Sequence, residues 1–516
     1  MNGYKVGGIS IAIIFFFYYF LLKENKQPDI NSTKNKPLMI YCAAGIKEPF
    51  EMAVKEFKKV YSIDITVDYR GSGHLYGSLK TSSLAGLTKG DLFLAADYSY
   101  TDMGKKDGII KETLPLAYQN PILIVKKGNP KNIKSIHDLL KPHIKIVIAN
   151  PEAASVGKTT KKILSKAGLW KQINENVIKY GTFKPTVLDV ANDVKLGVMD
   201  AGIVWDPISK HHNYIDYIEV VDEPILTKHK KHITIGILTS SKNPTMALKF
   251  ARFIHANDRG QQYFKHFNFQ TINNADDWSE HPSIKLMSGG VNRIAIKDTL
   301  EEFKKREGVE IITVFNGCGI LVSTMRGGER PDAYFACDIS FVDQVKDLFK
   351  EPKNIAKTDI VIATLKNNPK NIKSIDDLGN KFLKLGVGHP DQSALGSLTV
   401  KLLKSMNIYE AIYKNVTAQT PSADMIVVQL LSGSLDAIIV YRANLSKLKD
   451  KFEVIEIAHK MAHAIQPFAI AKKTRNHYLI ERLLDAIEEK SNRFESAGFS
   501  LFKTLKKNPF VEPMKK

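Results

Sequence analysis

The chain has 516 residues, of which 44% are hydrophobic and 25% are charged. This ordinary globular composition excludes a largely disordered chain, and the length allows more than one domain. The formal charge of +20 suggests an anionic partner. Lysines are spread along the predicted helices rather than clustered with aromatic residues, which argues against a nucleic-acid-binding protein.

Three cysteines are present, Cys42, Cys318 and Cys337. They are too few and too irregularly spaced for a disulfide framework or a cysteine-based metal cluster. Cys318 and Cys337 could form a bridge in an oxidising compartment, whereas thiols buried as small apolar residues are the plainer interpretation. We expect no metal ligands and no cofactor from the sequence.

An apolar run near the N-terminus, Val6–Leu22, contains 17 residues without a charge. That length lies between a signal-peptide core and a minimal membrane-spanning helix. No A-x-A-like cleavage site follows, and Cys42 lies too far beyond the run to form a lipoprotein box. We expect residues 1–37 to be an uncleaved membrane anchor and polar linker, with a cleaved signal as the alternative. The rest of the chain is then periplasmic or otherwise extracytoplasmic.

The predicted elements begin with alternating apolar strands and amphipathic helices, a pattern typical of an α/β architecture with parallel strands covered on both faces. In chain order the pattern predicts a strand at 38–41, a helix at 49–60, a strand at 63–69 followed by a second helix, strands at 91–96 and 122–125, a short helix at 136–140, a strand at 144–149, a helix at 155–167 and a strand at 202–205. The same order then starts again with strands at 284–287 and 309–315.

This recurrence is a duplication. Eleven residues occur almost unchanged twice, as NPKNIKSIHDL at 129–139 and NPKNIKSIDDL at 368–378, and the offset of 239 continues as far as Val177 and Val416. A period of this length indicates a duplicated domain rather than a solenoid repeat.

The predicted domains are unit one at 38–275, unit two at 276–505 and a basic tail at 506–516. The offset is 246 early in unit two and 241 from Asp332, so unit two has lost five residues around the loop that reads TSSLAGLTKG in unit one.

Three strand-to-helix turns of unit one consist of small residues: Ala43-Ala44-Gly45, Gly71-Ser72-Gly73 and Ala154-Ser155-Val156-Gly157. Helix N-termini present N–H groups without intrahelical acceptors and the positive end of the helix dipole, and small residues let the backbone approach a ligand. In an open α/β sheet such turns gather at the carboxyl ends of the strands. Together they predict a pocket for a small oxyanion that needs no lysine.

These segments resemble a known family. The runs MIYCAAGIKEPFEMAVKEFKK, YRGSG, DLFLAAD, ILIVKKGNP, NPEAASVGKTTKKILSKAG, DAGIVWD and ALKFARFIHANDRGQQYFKHFNF look like molybdate-type substrate-binding proteins of ABC importers. The resemblance covers 38–272 and, more loosely, 284–502. It implies tandem two-lobed, periplasmic-binding-protein-like (type II) domains, with mixed sheets flanked by helices, that close on a tetrahedral oxyanion such as molybdate or tungstate.

The resemblance also implies ligand contacts, residue by residue. In unit one they are Ala44, Gly45, Ser72, Ser155, Val156 and Trp205. Many members have a tyrosine in place of Trp205. The unit-two counterparts are Ser288, Gly290, Cys318, Ala394, Leu395 and Tyr441. Because Cys318 and Ala394 replace serines, an altered or inactive second site is as good an interpretation as an equal one.

The predicted function is extracytoplasmic capture of a small oxyanion for an ABC permease. No enzyme is expected, since no nucleophile and base stand together at matching strand ends. The alternatives are a membrane-anchored anion sensor or scaffold, and binding of another anion such as sulfate or phosphate.

Several polar residues receive plainer interpretations. GKTT at 157–160 looks like the end of a phosphate-binding loop, but Glu152 stands where that motif needs glycine. Glu152 is interpreted as a charge that favours a helix N-terminus, and Asp97 and Asp338 as caps of turns.

Overall fold

A computed structural model describes residues 36–380 and 382–502. The predictions made for the apolar run at 6–22 and the tail at 506–516 lie outside these residues. Within them, the longest apolar helices fall short of what is needed to cross a bilayer. The chain forms two units of two lobes each, with mixed sheets flanked by helices, which confirms the predicted fold class.

Unit one contains eleven strands and ten α-helices among its described residues. The strands are β1 (Leu38–Ala43), β2 (Ile65–Arg70), β3 (Leu92–Ala95), β4 (Ile110–Gln119), β5 (Pro121–Lys126), β6 (Ile146–Ala149), β7 (Thr182–Lys184), β8 (Ala201–Trp205), β9 (Ile218–Val221), β10 (Lys231–Leu238) and β11 (Gln270–Thr271). The helices are α1 (Lys47–Tyr61), α2 (Ser72–Leu84), α3 (Tyr98–Lys106), α4 (Ser155–Lys166), α5 (Trp170–Tyr180), α6 (Val187–Lys195), α7 (Asp206–Ser209), α8 (Pro224–Thr227), α9 (Pro244–His255) and α10 (Gly260–His266).

These strands form one sheet in each lobe of unit one. The first lobe has the order β11-β4-β10-β3-β1-β2, and the second has β7-β6-β8-β5-β9. β1 pairs in parallel with β2 and β3, whereas β10 runs antiparallel to β3 and β4. The sheet is therefore mixed, as the resemblance implied. A strand that returns from the second lobe enters the first sheet antiparallel.

Unit two repeats this plan. Its strands are β12 (Ser283–Gly289), β13 (Glu310–Asn316), β14 (Ala333–Phe335), β15 (Lys353–Leu365), β16 (Leu385–Gly388), β17 (Val416–Thr420), β18 (Ala437–Tyr441), β19 (Phe452–Glu456), β20 (His463–Ile470) and β21 (Ser500–Leu501). Its helices are α11 (Arg293–Glu307), α12 (Cys318–Arg326), α13 (Ile339–Asp343), α14 (Ala394–Ser405), α15 (Tyr409–Tyr413), α16 (Ala423–Leu431), α17 (Arg442–Leu445), α18 (His477–Glu489) and α19 (Ser491–Ser496). The five missing residues shorten α12 relative to α2.

The two lobes of unit two share one strand. β15 pairs with β20 in the first lobe through residues 353–359, and with β18 in the second lobe through residues 360–363. In unit one the same path is divided at Asn120, since β4 ends at Gln119 and β5 begins at Pro121. Proline lacks the N–H that a continuous ladder requires.

Helix α1 illustrates how the core forms. Phe50, Ala53, Val54 and Phe57 recur at helical spacing and are all buried. Phe57 packs edge to face against two phenylalanines of α9, with ring centroids 5.0 and 5.2 Å away. The helix ends at Tyr61, and the following residue, Ser62, has a left-handed φ of 47°. The apolar stripe thus fixes one face of the first lobe against α9.

The repeated eleven residues form the same loop in both units. Asn129 and Asn368 have φ values of 42° and 44°, a region that asparagine tolerates better than most residues. Their side-chain oxygens accept hydrogen bonds from the amides of Ile133 and Ile372 at 2.9 Å each. The loop geometry therefore accounts for this sequence identity without a ligand.

A buried ion-pair cluster joins the first lobes of the two units. The carboxylate of Glu307, at the end of α11, is 1% exposed. It accepts hydrogen bonds from Arg252 of α9 at 2.9 Å and from Arg482 of α18 at 2.7 Å. Opposite charges that satisfy one another are the usual condition for burying such groups.

Two further contacts extend this junction. Asp276, the first residue of unit two, accepts hydrogen bonds from the amides of Tyr478 and Leu479 at 2.8 and 3.0 Å and so caps α18, while its own amide donates to His255 of α9 at 3.2 Å. Arg306 forms a bidentate pair with Glu112 of β4. The two units therefore meet through charged contacts between their first lobes.

Candidate functional site

The lobes of unit one touch where the predicted small-residue turns meet. The amides of Gly73 and His74, in the first turn of α2, donate to the carbonyl of Ala153 at 2.9 and 3.2 Å. Ala153 lies in the second lobe, just before α4. Two of the three turns are therefore in direct contact, and the cleft of unit one is closed there.

Glycine is required for this approach. A Cβ on Gly73 would lie 2.1 Å from the carbonyl oxygen of Glu152, and one on Gly71 would lie 2.3 Å from that of Ala153. The remaining turn, Ala43-Ala44-Gly45, also contacts the second lobe. A Cβ on Gly45 would lie 2.8 Å from the side chain of Val187 at the start of α6. Backbone of one lobe thus packs directly against backbone of the other.

The predicted serines lie buried at this junction. Ser72 is 1% exposed, and its Oγ accepts a hydrogen bond from the amide of Ala96 at 3.2 Å. Ser155 and Val156 open α4 and are 4% and 1% exposed. The first-turn N–H groups of such a helix have no intrahelical acceptor and favour negative charge. Trp205 ends β8 with 2% exposure.

Ala44 and Gly45 are placed differently. They line a cavity of about 610 Å³ between the lobes, together with residues that include Glu48, Glu51, His211 and Tyr214. The buried Ser72, Ser155, Val156 and Trp205 do not line it. Glu48 and Glu51 face this cavity together with Lys47 and Lys55, so the charges of its lining do not favour an anion. The helix N-termini around the serines are the better one.

Sequence reasoning missed the side chains that cross the cleft. Thr159 of α4 donates to the carboxylate of Asp97 at 3.2 Å. Lys158 donates to Ser99 at 3.5 Å and lies 4.4 Å from the ring centroid of Tyr100. Burial lowers the pKa of Lys158, an effect that the Asp97 carboxylate opposes. The GKTT run at 157–160 drew attention to Lys158 and Thr159 in the sequence. The residues that they contact could not be predicted, because they lie about 60 residues away in the chain.

The interpretation of Asp97 and Asp338 as turn caps is confirmed. Asp97 accepts a hydrogen bond from the amide of Ser99 at 2.8 Å, and Asp338 accepts one from Ser340 at 3.0 Å. Asp97 also carries the contact with Thr159, so one carboxylate caps α3 and holds the opposite lobe.

One group across the cleft has the composition of a metal site. Glu48 of α1 and His211 and His212 of the second lobe offer ligand atoms that all lie within 4.8 Å of one another. Glu48 Oε2 and His211 Nε2 are 2.6 Å apart. Within residues 36–380 and 382–502 this is the only such group of three, and no metal ligand was expected from the sequence.

Unit two closes in the same way but with a different lining. The amide of Gly319 donates to the carbonyl of Gln392 at 3.1 Å, and a Cβ on Gly319 would lie 1.9 Å from the carbonyl of Asp391. Ser288, Cys318, Ala394 and Leu395 are buried, with exposures of 0 to 1%, and Gly290 opens the first turn. Cys318 and Ala394 offer no hydroxyl, so the backbone design persists while its polar side chains differ.

Tyr441 takes the position of Trp205 at the end of β18. Its hydroxyl is buried and has no hydrogen-bond partner among the described residues. Burial raises the pKa of Tyr441 well above its ordinary value, so the group stays neutral. A neutral hydroxyl of this kind is a donor in need of an acceptor.

Comparison with known proteins identifies the family. The family described as bacterial extracellular solute-binding protein matches the chain over residues 38–270 and 284–500. The chain belongs to this family. The match covers both units separately, with a break at the junction between them.

Individual relatives correspond in length to one unit. A protein of Haemophilus influenzae named as a binding protein is 28% identical over 229 residues, which is 44% of this chain and 88% of its own. The molybdate-binding protein ModA of Mycobacterium bovis is 24% identical over 222 residues, covering 42% of this chain and 79% of its own. Among solved structures, the Azotobacter vinelandii periplasmic molybdate-binding protein is 14% identical, with a TM-score of 0.37, and is matched over 100% of its length and 46% of this chain.

Proposed function

We propose that this solute-binding protein captures a small tetrahedral oxyanion, molybdate or tungstate, in unit one and delivers it to an ABC permease outside the cytoplasm. The observation that carries the proposal is the convergence of α2 and α4 at the closed cleft, with Ser72 and Ser155 buried at their first turns. Relatives named as molybdate-binding proteins support the choice of ligand.

The chemistry of the cleft suits reversible capture. The first-turn amides of α4 and the positive ends of the α2 and α4 helix dipoles attract an anion, and serine hydroxyls donate without charge. Neutral donors bind an oxyanion by its size and charge, and hinge opening releases it intact. We assign no catalytic residues, because the residues at these turns offer no nucleophile with an adjacent base.

Unit two is proposed to bind the same anion weakly or not at all. Cys318 and Ala394 stand where unit one has Ser72 and Ser155, so two hydroxyl donors are missing there, although Ser288 and Tyr441 bring hydroxyls at other positions. Each lost hydrogen bond to a charged ligand costs about 1.5–3 kcal/mol, or roughly 10- to 100-fold in affinity. We expect one equivalent of ligand per chain.

Calorimetric titration of the full chain with molybdate, tungstate, sulfate and phosphate tests the proposal. We expect saturation by molybdate or tungstate at one equivalent. Replacing Ser155 by Ala should weaken that binding roughly 10-fold, whereas the unit-two serine variant Ser288→Ala should leave it unchanged. Absence of binding for all four anions would overturn the proposal. Binding at two equivalents would overturn the assignment to unit one alone.

A further inference from the structure

We propose that Cys318 and Cys337 are joined by a disulfide bond in the exported protein, at the position where unit one keeps a serine in its second oxyanion-binding turn. The proposal concerns covalent chemistry of unit two and does not depend on which anion unit one binds. It chooses between the two interpretations that the sequence left open for these cysteines.

The two sulfurs are already in contact. Cys318 Sγ and Cys337 Sγ lie 2.7 Å apart, and both residues are buried. The amide of Cys337 also donates to Cys318 Sγ at 3.1 Å. Two thiols held side by side out of water need little movement to become bonded.

The neighbouring strand leaves room for the pair. Cys318 opens α12 after β13, and Cys337 follows β14, while β12 runs between those two strands. Gly289, the last residue of β12, lies beneath both sulfurs. A Cβ there would be 2.1 Å from Cys337 Sγ and 3.1 Å from Cys318 Sγ. Glycine at this position therefore makes the space that the two sulfur atoms occupy.

Unit one has the same contact in a form that cannot be oxidised. Ser72 and Ala96 correspond to Cys318 and Cys337 at the offsets of 246 and 241. Ser72 Oγ accepts from the amide of Ala96 at 3.2 Å, just as Cys318 Sγ accepts from Cys337. Unit two therefore has cysteine at both residues of this contact. Two independent apolar replacements would have no reason to be cysteine at both positions.

The reaction balances with an oxidant of the extracytoplasmic space. Two S–H bonds break and one S–S bond forms between Cys318 and Cys337. The two electrons and two protons pass to an external disulfide, that of a thiol–disulfide oxidoreductase or a small disulfide, which is reduced to two thiols. Disulfides persist in such compartments, where this family of extracellular proteins works.

The third cysteine provides an internal control. Cys42 lies in β1 of unit one, is fully buried, and its Sγ contacts the carbonyl of Ala43 at 3.6 Å. The chain has three cysteines in all, so oxidation of the proposed pair leaves one thiol and reduction yields three.

The test is thiol counting on the full chain produced in a disulfide-forming compartment. The protein is denatured in iodoacetamide without reductant, and the intact mass is measured. We expect one adduct before reduction and three afterwards. Three adducts without reduction would overturn the proposal.

Variants identify the partners. Cys42→Ser should show no adduct before reduction and two afterwards, and it leaves unit two unaltered. Cys318→Ser should show two adducts in both conditions, with its Oγ restoring the contact seen at Ser72. A Cys42→Ser protein that takes up two adducts without reduction would count against the proposal even if the Cys318 variant fails to fold.

Discussion

Units one and two close their clefts with the same backbone and different side chains. Gly73 and Gly319 bring a helix N-terminus onto a carbonyl of the opposite lobe in each. In unit one Lys158 and Thr159 add contacts across the cleft. Unit two has Ser397 and Leu398 at those positions. Glycine turns thus preserve the closing geometry in both units, whereas the residues that follow them determine which side chains meet across the closed cleft.

The hinges differ as well. In unit one the amide of Asn120 donates to the carboxylate of Asp206 at 2.9 Å, next to the break at Pro121. Burial raises the pKa of Asp206, and the hydrogen bonds from Asn120 oppose that shift. In unit two Asp359 and Arg442 face each other at 3.6 Å beside an unbroken β15. One hinge is a neutral donor paired with an acid, and the other is an exposed ion pair.

Blocking each closure separately should have the largest effect. Gly73→Ala should lower the affinity for molybdate by about 100-fold, since overpacking of this kind costs up to about 3 kcal/mol and the closed lobes leave no room for the methyl group. Gly319→Ala should leave the affinity unchanged. Calorimetry measures both. An equal loss in the two variants would contradict the view that unit one alone captures the ligand.

The junction between the units should show the next largest effect. Glu307→Gln removes the charge that neutralises Arg252 and Arg482, and we expect a loss of about 3 kcal/mol in the free energy of unfolding. Glu302→Gln is the matched control, because Glu302 pairs with Arg493 and Lys490 at the exposed surface and should cost under about 1 kcal/mol. Urea unfolding measures both. Similar losses in the two would mean that the buried cluster contributes no more than a surface pair.

Tyr441 and Trp205 offer a smaller contrast. Tyr441→Phe removes a buried hydroxyl without a partner among the described residues, so we expect unit two to gain about 1 kcal/mol of stability. Thermal unfolding of the ligand-free chain measures the gain. A loss of stability would reveal that the hydroxyl has a partner in solution.

The smallest expected effect is a loss of stability at acidic pH. Burial, followed by the charge of Lys230, lowers the pKa of His232 from 6.5 to about 4. The equivalent position in β20 of unit two is Ile465, which does not titrate. At pH values between 6.5 and 4, His232 is protonated in the unfolded chain and neutral in the folded chain. The free energy of unfolding therefore falls as the pH drops from 6.5 towards 4. Allowing for partial exposure, we expect about 1 kcal/mol at pH 5, and His232→Gln should remove it. Unfolding curves at pH 7 and pH 5 compare the two proteins, and equal slopes would contradict the assignment.

Sequence patterns predicted the parts of the fold that local chemistry determines. The apolar strands, the amphipathic helices and the small-residue turns all appear, because periodicity and turn residues report on neighbours in the chain. β4 was not predicted, since its sequence IKETLPLAYQ carries charges and Pro115. The strand forms because β10 and β11 pair with it.

The contacts that define the site and the junction lie beyond such reasoning. Thr159 meets Asp97 from 62 residues away, and Arg482 meets Glu307 from 175 residues away. Nothing in the local sequence of Glu307 distinguishes it from the exposed glutamates on the same helix. Only the packing of α9 and α18 buries it. Ligand binding by the predicted site residues stays a prediction.

The cluster of Arg252, Glu307 and Arg482 has a consequence for motion. Because the cluster joins the two first lobes, we expect each second lobe to move about its own hinge relative to the joined first lobes. We expect one cleft to open without moving the other, while the two first lobes keep their relative position. A membrane partner that binds the joined first lobes would hold the two clefts at a fixed spacing. Ligand released from one cleft would then be close to the other.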